Sequence, residues 1–318
     1  MNAGTRIRRI MAKPWIWAYL AAIAVWLITV ITTSGQATFG LLTAALTFGS
    51  FFALVGIGQM FVITLGPGNV DLAIPSTMVL AATVSIKTMD GDPALIPVGV
   101  ALTVLVGLIV GSANFALIRL LRIPPIIATL SSSFIILSVA IVWNRGLRIK
   151  PPDLLADFPG TDILGVPLVA MLVIAVAAVM HVVLDRTRYG RSVTAIGQNP
   201  RAARLSGLPV DRVRFLAYVS SAVFASLAGF LLASYSGGPA LNMGDPYLLV
   251  SIAVVVIGGT SVAGGDGNVP GLWGAALFLF LLAAMLNTFG IGEGVRQVLT
   301  GVIVILVIVA ASFRRAAD

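Results

Sequence analysis

The sequence predicts an all-α protein that crosses a membrane many times, on three observations. Hydrophobic residues make up 58% of the 318-residue chain and charged residues only 10%, with a mean hydropathy of +1.05. Soluble domains carry about 25% charged residues, so this chain cannot coat a water-facing globule and needs lipid as solvent. The apolar residues also fall into runs of about 20, the length a helix needs to cross the hydrocarbon layer. Finally, the basic residues between those runs are biased to alternate loops, as the positive-inside rule requires of a threaded chain.

Ten segments fit: 15–33, 41–64, 72–89, 94–118, 124–143, 166–184, 214–235, 247–263, 270–289 and 295–313. The first follows Arg6, Arg8, Arg9 and Lys13 but is long for a signal peptide and lacks a small-x-small exit, so it reads as an uncleaved anchor. Segment 41–64 ends at the helix breakers Gly66, Pro67 and Gly68, with Asn69 and Asp71 just beyond. Segment 94–118 carries Gly107 and Gly111 in GxxxG spacing, which points to helix packing rather than ligand contact. Between 124–143 and 166–184 lies the longest outer loop, with Arg145, Arg148 and Lys150 followed by Asp153, Asp157 and Asp162. That mixed charge suits docking of a soluble protein. The single histidine, His181, reads as a helix-end residue. Gly-x-Gly-Asn-Val occurs twice, at Gly66–Val70 and Gly265–Val269, a trace of an internal repeat.

With the N-terminus inside, the cytoplasmic side collects Arg6, Arg8, Arg9, Lys13, Arg119, Arg122, Arg186, Arg188, Arg191, Arg201, Arg204, Arg212, Arg214, Arg314 and Arg315. The outer side receives Lys87, Arg145, Arg148, Lys150 and Arg296, together with Asp90, Asp92, Asp153, Asp157, Asp162, Asp245 and Glu293. Both termini are then cytoplasmic. The net charge of +8 is topological, so nucleic acid is excluded as a partner. The absence of cysteine removes disulfides, thiolate metal sites and thiol nucleophiles, and no metal site is expected. The whole chain, 1–318, reads as one transmembrane domain.

Polar groups inside a bilayer are costly and face a cavity or another helix. The candidates for a substrate path are Gln59, Asn69, Asp71, Asn114, Thr129, Ser131, Ser132, Ser133 and Asn287. The stretch Gly66–Asp71 has two readings. It is a broken helix lining a path or gate, or a cytoplasmic turn with Asp71 capping the next helix. The run Ser131–Ser133 covers most of a helix circumference, so at least one serine faces inward.

The cytoplasmic stretch of about 189–211 is the longest polar, basic segment. Asn199 is a good N-cap and Pro200 suits the first helical position. Arg201, Ala202, Ala203, Arg204, Leu205 and Ser206 continue a short helix, which Gly207 at C′ and Pro209 end. A helix this short needs packing, on its own chain or in a partner's groove.

The run NPRAARLSGLPVDRVR resembles the coupling-helix region of permease subunits of ribose-type ABC importers. GGTSVAGGDG at 258–267 is similar to the family's glycine-rich stretch, and GPGNVDLAIPS at 66–76 to its glycine-then-Asp-Leu motif. The chain departs where the family often has an acid early in the coupling helix and this sequence has Arg201. It departs again near Asp71, with Asn69, Ala73, Ile74 and Pro75. The resemblance implies a bacterial inner-membrane permease that pairs with a second, identical or related permease chain. It implies ATPase subunits bound through residues 199–207, a periplasmic protein that delivers a sugar, and a translocation path without catalysis or a cofactor of its own. ATP would be bound by the partner. None of Lys13, Lys87 and Lys150 follows a glycine, so no P-loop is present. Two alternatives stay open: an ABC permease for nucleosides or branched-chain amino acids, and an ion-coupled secondary transporter using Asp71.

Overall fold

The computed structural model describes residues 15–33, 38–144, 150–292, 294–295, 297–303 and 305–306. Arg6, Arg8, Arg9, Lys13, Arg145, Arg148, Glu293, Arg296, Arg314 and Arg315 of the charge argument lie outside the described residues.

The described chain is helical almost throughout. The membrane-directed helices are α1 (Ile16–Thr32), α2 (Thr38–Thr64), α3 (Ile74–Met89), α4 (Ile96–Leu120) and α5 (Pro125–Trp143). A short α6 (Asp153–Asp157) and a two-residue hairpin, β1 (Asp162–Ile163) with β2 (Val166–Pro167), precede α7 (Leu168–Arg186). Then come α8 (Arg188–Gln198), α9 (Pro200–Leu205), α10 (Val210–Tyr235), α11 (Tyr247–Ile257) and α12 (Val269–Thr288). Residues 294–295, 297–303 and 305–306 are helical as well and, apart from residue 294, fall within the tenth expected segment.

Prolines sit in the first turn of α3, α4, α5, α9 and α12. A missing N–H costs nothing there, and the fixed φ is already helical. Among the described residues, six helices are long and apolar enough to cross a membrane alone: α2, α4, α5, α7, α10 and α12, the α4 span counted from Pro93. Helices α1, α3 and α11 are shorter, with 17, 16 and 11 residues. At 1.5 Å per residue, α11 rises only about 16 Å. The expected span 247–263 is therefore too long. The helix stops at Ile257, and Gly259, Gly264 and Gly265, all at positive φ, turn the chain.

Helix α10 is the hub, packed on α4, α2 and α3. Two thirds of its apolar stretch is buried, as for α12, against 28% for α5 and α7. Those two expose Phe134, Ile135, Val139, Leu172 and Ile174, the side chains of a lipid-facing rim. Lipid tails are as apolar as leucine, so helices associate by close backbone approach at small residues. Gly107 and Gly111 show this. A Cβ on either would stand 2.6 Å and 2.5 Å from the Cα atoms of Val223 and Val219 in α10. The GxxxG spacing is a packing seam, as expected.

The connections sort into two ends. At one, the Gly66 turn meets Gly197 and Gly264, and Arg119 reaches Asp211. At the other, Lys87 Nζ donates to the Trp143 carbonyl (2.7 Å), Gly160 packs on Tyr235 and Gly165 on Phe39. This matches the expected alternation with one correction. Residues 236–246, expected as an outer loop carrying Asp245, do not stay at that end. Gly244 lies against the backbone of Pro75 in the first turn of α3.

Candidate functional site

Two sites emerge, one inside the bundle and one at the end that carries α8 and α9. The inner site forms where the chain between α2 and α3 has no helical partners for its backbone. Gly66 (φ 118°) and Gly68 (φ 78°) break the ladder, and residues 65–73 climb irregularly toward α3. Unpaired backbone groups at membrane depth are prohibitive, so side chains from neighbouring helices take them. Gln59 of α2 accepts from Asp71 N (3.1 Å) and donates to Asp71 O (3.4 Å). Thr129 of α5 accepts from Leu72 N (3.0 Å).

The side chains of the irregular stretch are also engaged. Asp71 Oδ1 accepts from Ala73 N (3.0 Å), and Oδ2 accepts from the Ser221 hydroxyl (2.8 Å). Asn69 donates to Gly66 O (3.1 Å) and accepts from the Tyr218 hydroxyl (3.2 Å). Nearby, the Ser132 hydroxyl donates to Asn114 Oδ1, leaving the buried Asn114 Nδ2 without a partner.

Gln59, Asn69, Asp71, Asn114, Thr129 and Ser132 are all buried. Ser131 is exposed, Ser133 half-buried, and Asn287 exposed far along α12. Gly66–Gly68 turns the chain, and Asp71 bonds the N–H of Ala73, the residue just before α3, rather than an N–H of the helix itself. Tyr218 and Ser221 escaped the sequence reading. Their i, i+3 spacing puts them on one face of α10 but does not say what that face meets.

At the other site, Asn199 Oδ1 accepts from the N–H groups of Arg201 and Ala202 (both 3.0 Å). Gly207 (φ 82°) ends α9, with Gly207 N bonded to Arg204 O and Leu208 N to Ala203 O. This pair of bonds is the Schellman ending. The cap, Pro200 and the Gly207 terminator all sit where the sequence placed them. The amphipathic α8, capped by Thr187 through Gly190 N (3.2 Å), was not foreseen as a separate helix.

Only Ala203 of α9 is buried; Pro200, Arg201, Ala202, Arg204, Leu205 and Ser206 are exposed, Leu205 at 89%. Asp211, in the first turn of α10, pairs with Arg119 (2.9 Å) and Arg204 (3.7 Å) and so ties α9 to α4. These pairs are half-exposed and contribute about 0–1 kcal/mol each. A groove of about 500 Å3 runs between Pro200, Arg201, Arg204, Leu205, Val210 and Arg214. His181 pairs with Asp185 (3.6 Å) near the end of α7, as a helix-end histidine would. Among the described residues, no group of three His, Asp or Glu side chains is placed to hold a metal.

Residues 41–309 match the family described as branched-chain amino acid transport system / permease component. The chain belongs to this permease family. A probable ABC transporter permease protein, y4mJ of Sinorhizobium fredii, is 31% identical over 85% of the permease and 84% of its own length. The autoinducer 2 import system permease protein LsrD of Photorhabdus laumondii is 29% identical over 83% of the permease and 81% of itself. LsrD of Escherichia coli K12 is likewise 29% identical, over 83% and 82%. No solved structure matches the permease. With these relatives and its apolar helices, it is a multi-pass membrane permease of the ABC type.

Proposed function

We propose that this permease is the membrane-spanning subunit of an ATP-driven importer in a bacterial inner membrane. It forms the path for a sugar handed over by a periplasmic binding protein. It pairs with a second permease chain, binds ATPase subunits through α9, carries no catalytic group or cofactor, and keeps both termini cytoplasmic. The observation that carries this reading is α9 itself. It is a six-residue helix, fixed at both ends by its own sequence, that leaves Leu205 89% exposed in a groove with its own Arg201 and Arg204 and with Arg214 of α10. An apolar knob on a rigid, protruding element is what a partner's groove receives. The buried cluster around Asp71 joins α2, α3, α5 and α10, and we assign it the closing of the path at the cytoplasmic end.

The sugar reading rests on the stretches 66–76, 199–214 and 258–267, which resemble ribose-type permeases, and the family description keeps branched-chain amino acids as the second reading. Competition of uptake by unlabelled ribose, galactose, adenosine and leucine separates these classes. Ion coupling through Asp71 is disfavoured because both its carboxylate oxygens are engaged with protein donors.

The test of coupling is a pull-down of the tagged permease from native membranes, with and without Leu205→Asp. A P-loop ATPase should co-purify with the wild type, and its yield should fall at least tenfold with the variant while membrane insertion is unchanged. A wild-type chain that purifies with no ATPase would overturn the proposal. Ala203 is the wrong residue for this test, because its methyl group is buried in its own chain.

A further inference from the structure

Residues 236–246 form an unwound stretch that carries polar side chains into the middle of the bundle. After Tyr235, whose ring packs on Phe48 (5.4 Å), the chain turns at Gly237 (φ 78°) and Gly238 (φ 143°) and descends without regular structure. Two contacts fix its depth. A Cβ on Gly244 would collide with the Pro75 carbonyl, so the stretch reaches the beginning of α3. The Tyr247 ring stands 5.3 Å from that of Phe52. Phe52 is near the middle of α2, roughly 20 Å from either end at 1.5 Å per residue. The short α11 then covers the remaining depth to Gly258.

Asn242 and Asp245 therefore lie where lipid tails run on the outside of the bundle. Both are exposed, and neither side chain has a hydrogen bond or ion pair among the described residues. One turn further, Leu249 is 75% exposed, so this face of α11 is not packed on its own chain. An unpaired carboxylate at that depth is not stable against lipid and belongs in a water-filled cavity. Irregular backbone is tolerated there on the same condition.

We infer that Asn242 and Asp245, on the unwound stretch before α11, contact the substrate halfway along the path and take a neutral, hydroxyl-rich ligand. This rests on the importer reading above. A carboxylate accepts hydroxyl protons, and a carboxamide both donates and accepts. With no arginine or lysine paired to Asp245 among the described residues, the pair offers no cation to a ligand carboxylate.

The chain has no cysteine, so Asn242→Cys reports from one position in the complete transporter. In sealed right-side-out vesicles containing the ATPase and binding protein, a cationic, membrane-impermeant thiol reagent should label it. Labelling should be at least tenfold faster than with the anionic analogue. Adding Asp245→Asn should remove that preference. Ribose, galactose and xylose together should slow the labelling, and leucine should not. Labelling by membrane-permeant N-ethylmaleimide alone would overturn the path, and with oxidative cross-linking of two copies it would assign this face to the seam between permease chains. Labelling without a charge preference would remove Asp245 from the site. Protection by leucine, or by neither addition, would overturn the hydroxyl-rich class. Co-purification of the ATPase, measured on the same variants, reports separately on the importer reading.

Discussion

Gln59 supplies two hydrogen bonds that no helix makes for Asp71. Among the described residues, its carboxamide is the one side chain bonded to both the N–H and the C=O of that residue. Replacing it with leucine leaves both groups buried and unpaired, at about 1–3 kcal/mol each. The Gln59→Leu protein should melt several degrees lower in detergent, read by tryptophan fluorescence. An unchanged melting curve would mean that the irregular stretch is held by other contacts. Gly111 is sensitive in a different way. A side chain there meets the α10 backbone, which has no room to yield, so Gly111→Leu should reach the membrane but fail to purify as a single species. Size-exclusion chromatography checks it. At this scale the sequence was informative about which residues are polar and buried. It was silent about Tyr218 and Ser221, because a tyrosine and a serine in an apolar run look the same whether they face lipid, a neighbour or water.

Among elements, α9 was the most legible and α11 the least. The cap, first-turn proline and terminating glycine of α9 are local chemistry, written within nine residues, 199–207. Asn199→Ala removes the acceptor for two N–H groups and should cost about 1 kcal/mol of helix stability. With α9 frayed, substrate-stimulated ATPase activity should fall several-fold while insertion and expression stay constant. Full stimulation would show that the partner reshapes α9 itself. Helix α11 was overextended although Gly258 and Gly259, which open the glycine-rich stretch 258–267, mark the stop after Ile257. The unwound stretch before it was hidden. Its Gly, Pro, Asn and Asp residues are those of an ordinary loop, and depth in a membrane is a tertiary property.

For the whole molecule, the distribution of arginine was the strongest guide, since it reports on threading rather than on any contact. The described connections that it grouped together share an end of the bundle, except for 236–246, a length of chain that leaves one end without reaching the other. Single cysteines test the threading directly. Ser206→Cys should label only after the membrane is opened, and Thr161→Cys in intact spheroplasts. The reverse pattern would invert every loop.

Each Gly-x-Gly-Asn-Val stretch touches the residues just before the other. Gly265 N donates to Thr64 O (2.9 Å), and Cβ atoms on Gly264 and Gly197 would strike Gly66 and the Thr64 carbonyl. Three connections far apart in sequence thus meet at glycine backbones with no side chain between them. Alanine is among the smallest changes a single base substitution makes to a glycine codon, and at Gly197 or Gly264 even that methyl group has nowhere to go. Such positions narrow the routes by which this sequence can drift. The surrounding helices can exchange leucine for isoleucine freely, while the knot itself stays fixed. A saturation library selected for correctly inserted permease should lose every substitution at these glycines and keep most of those along α5 and α7.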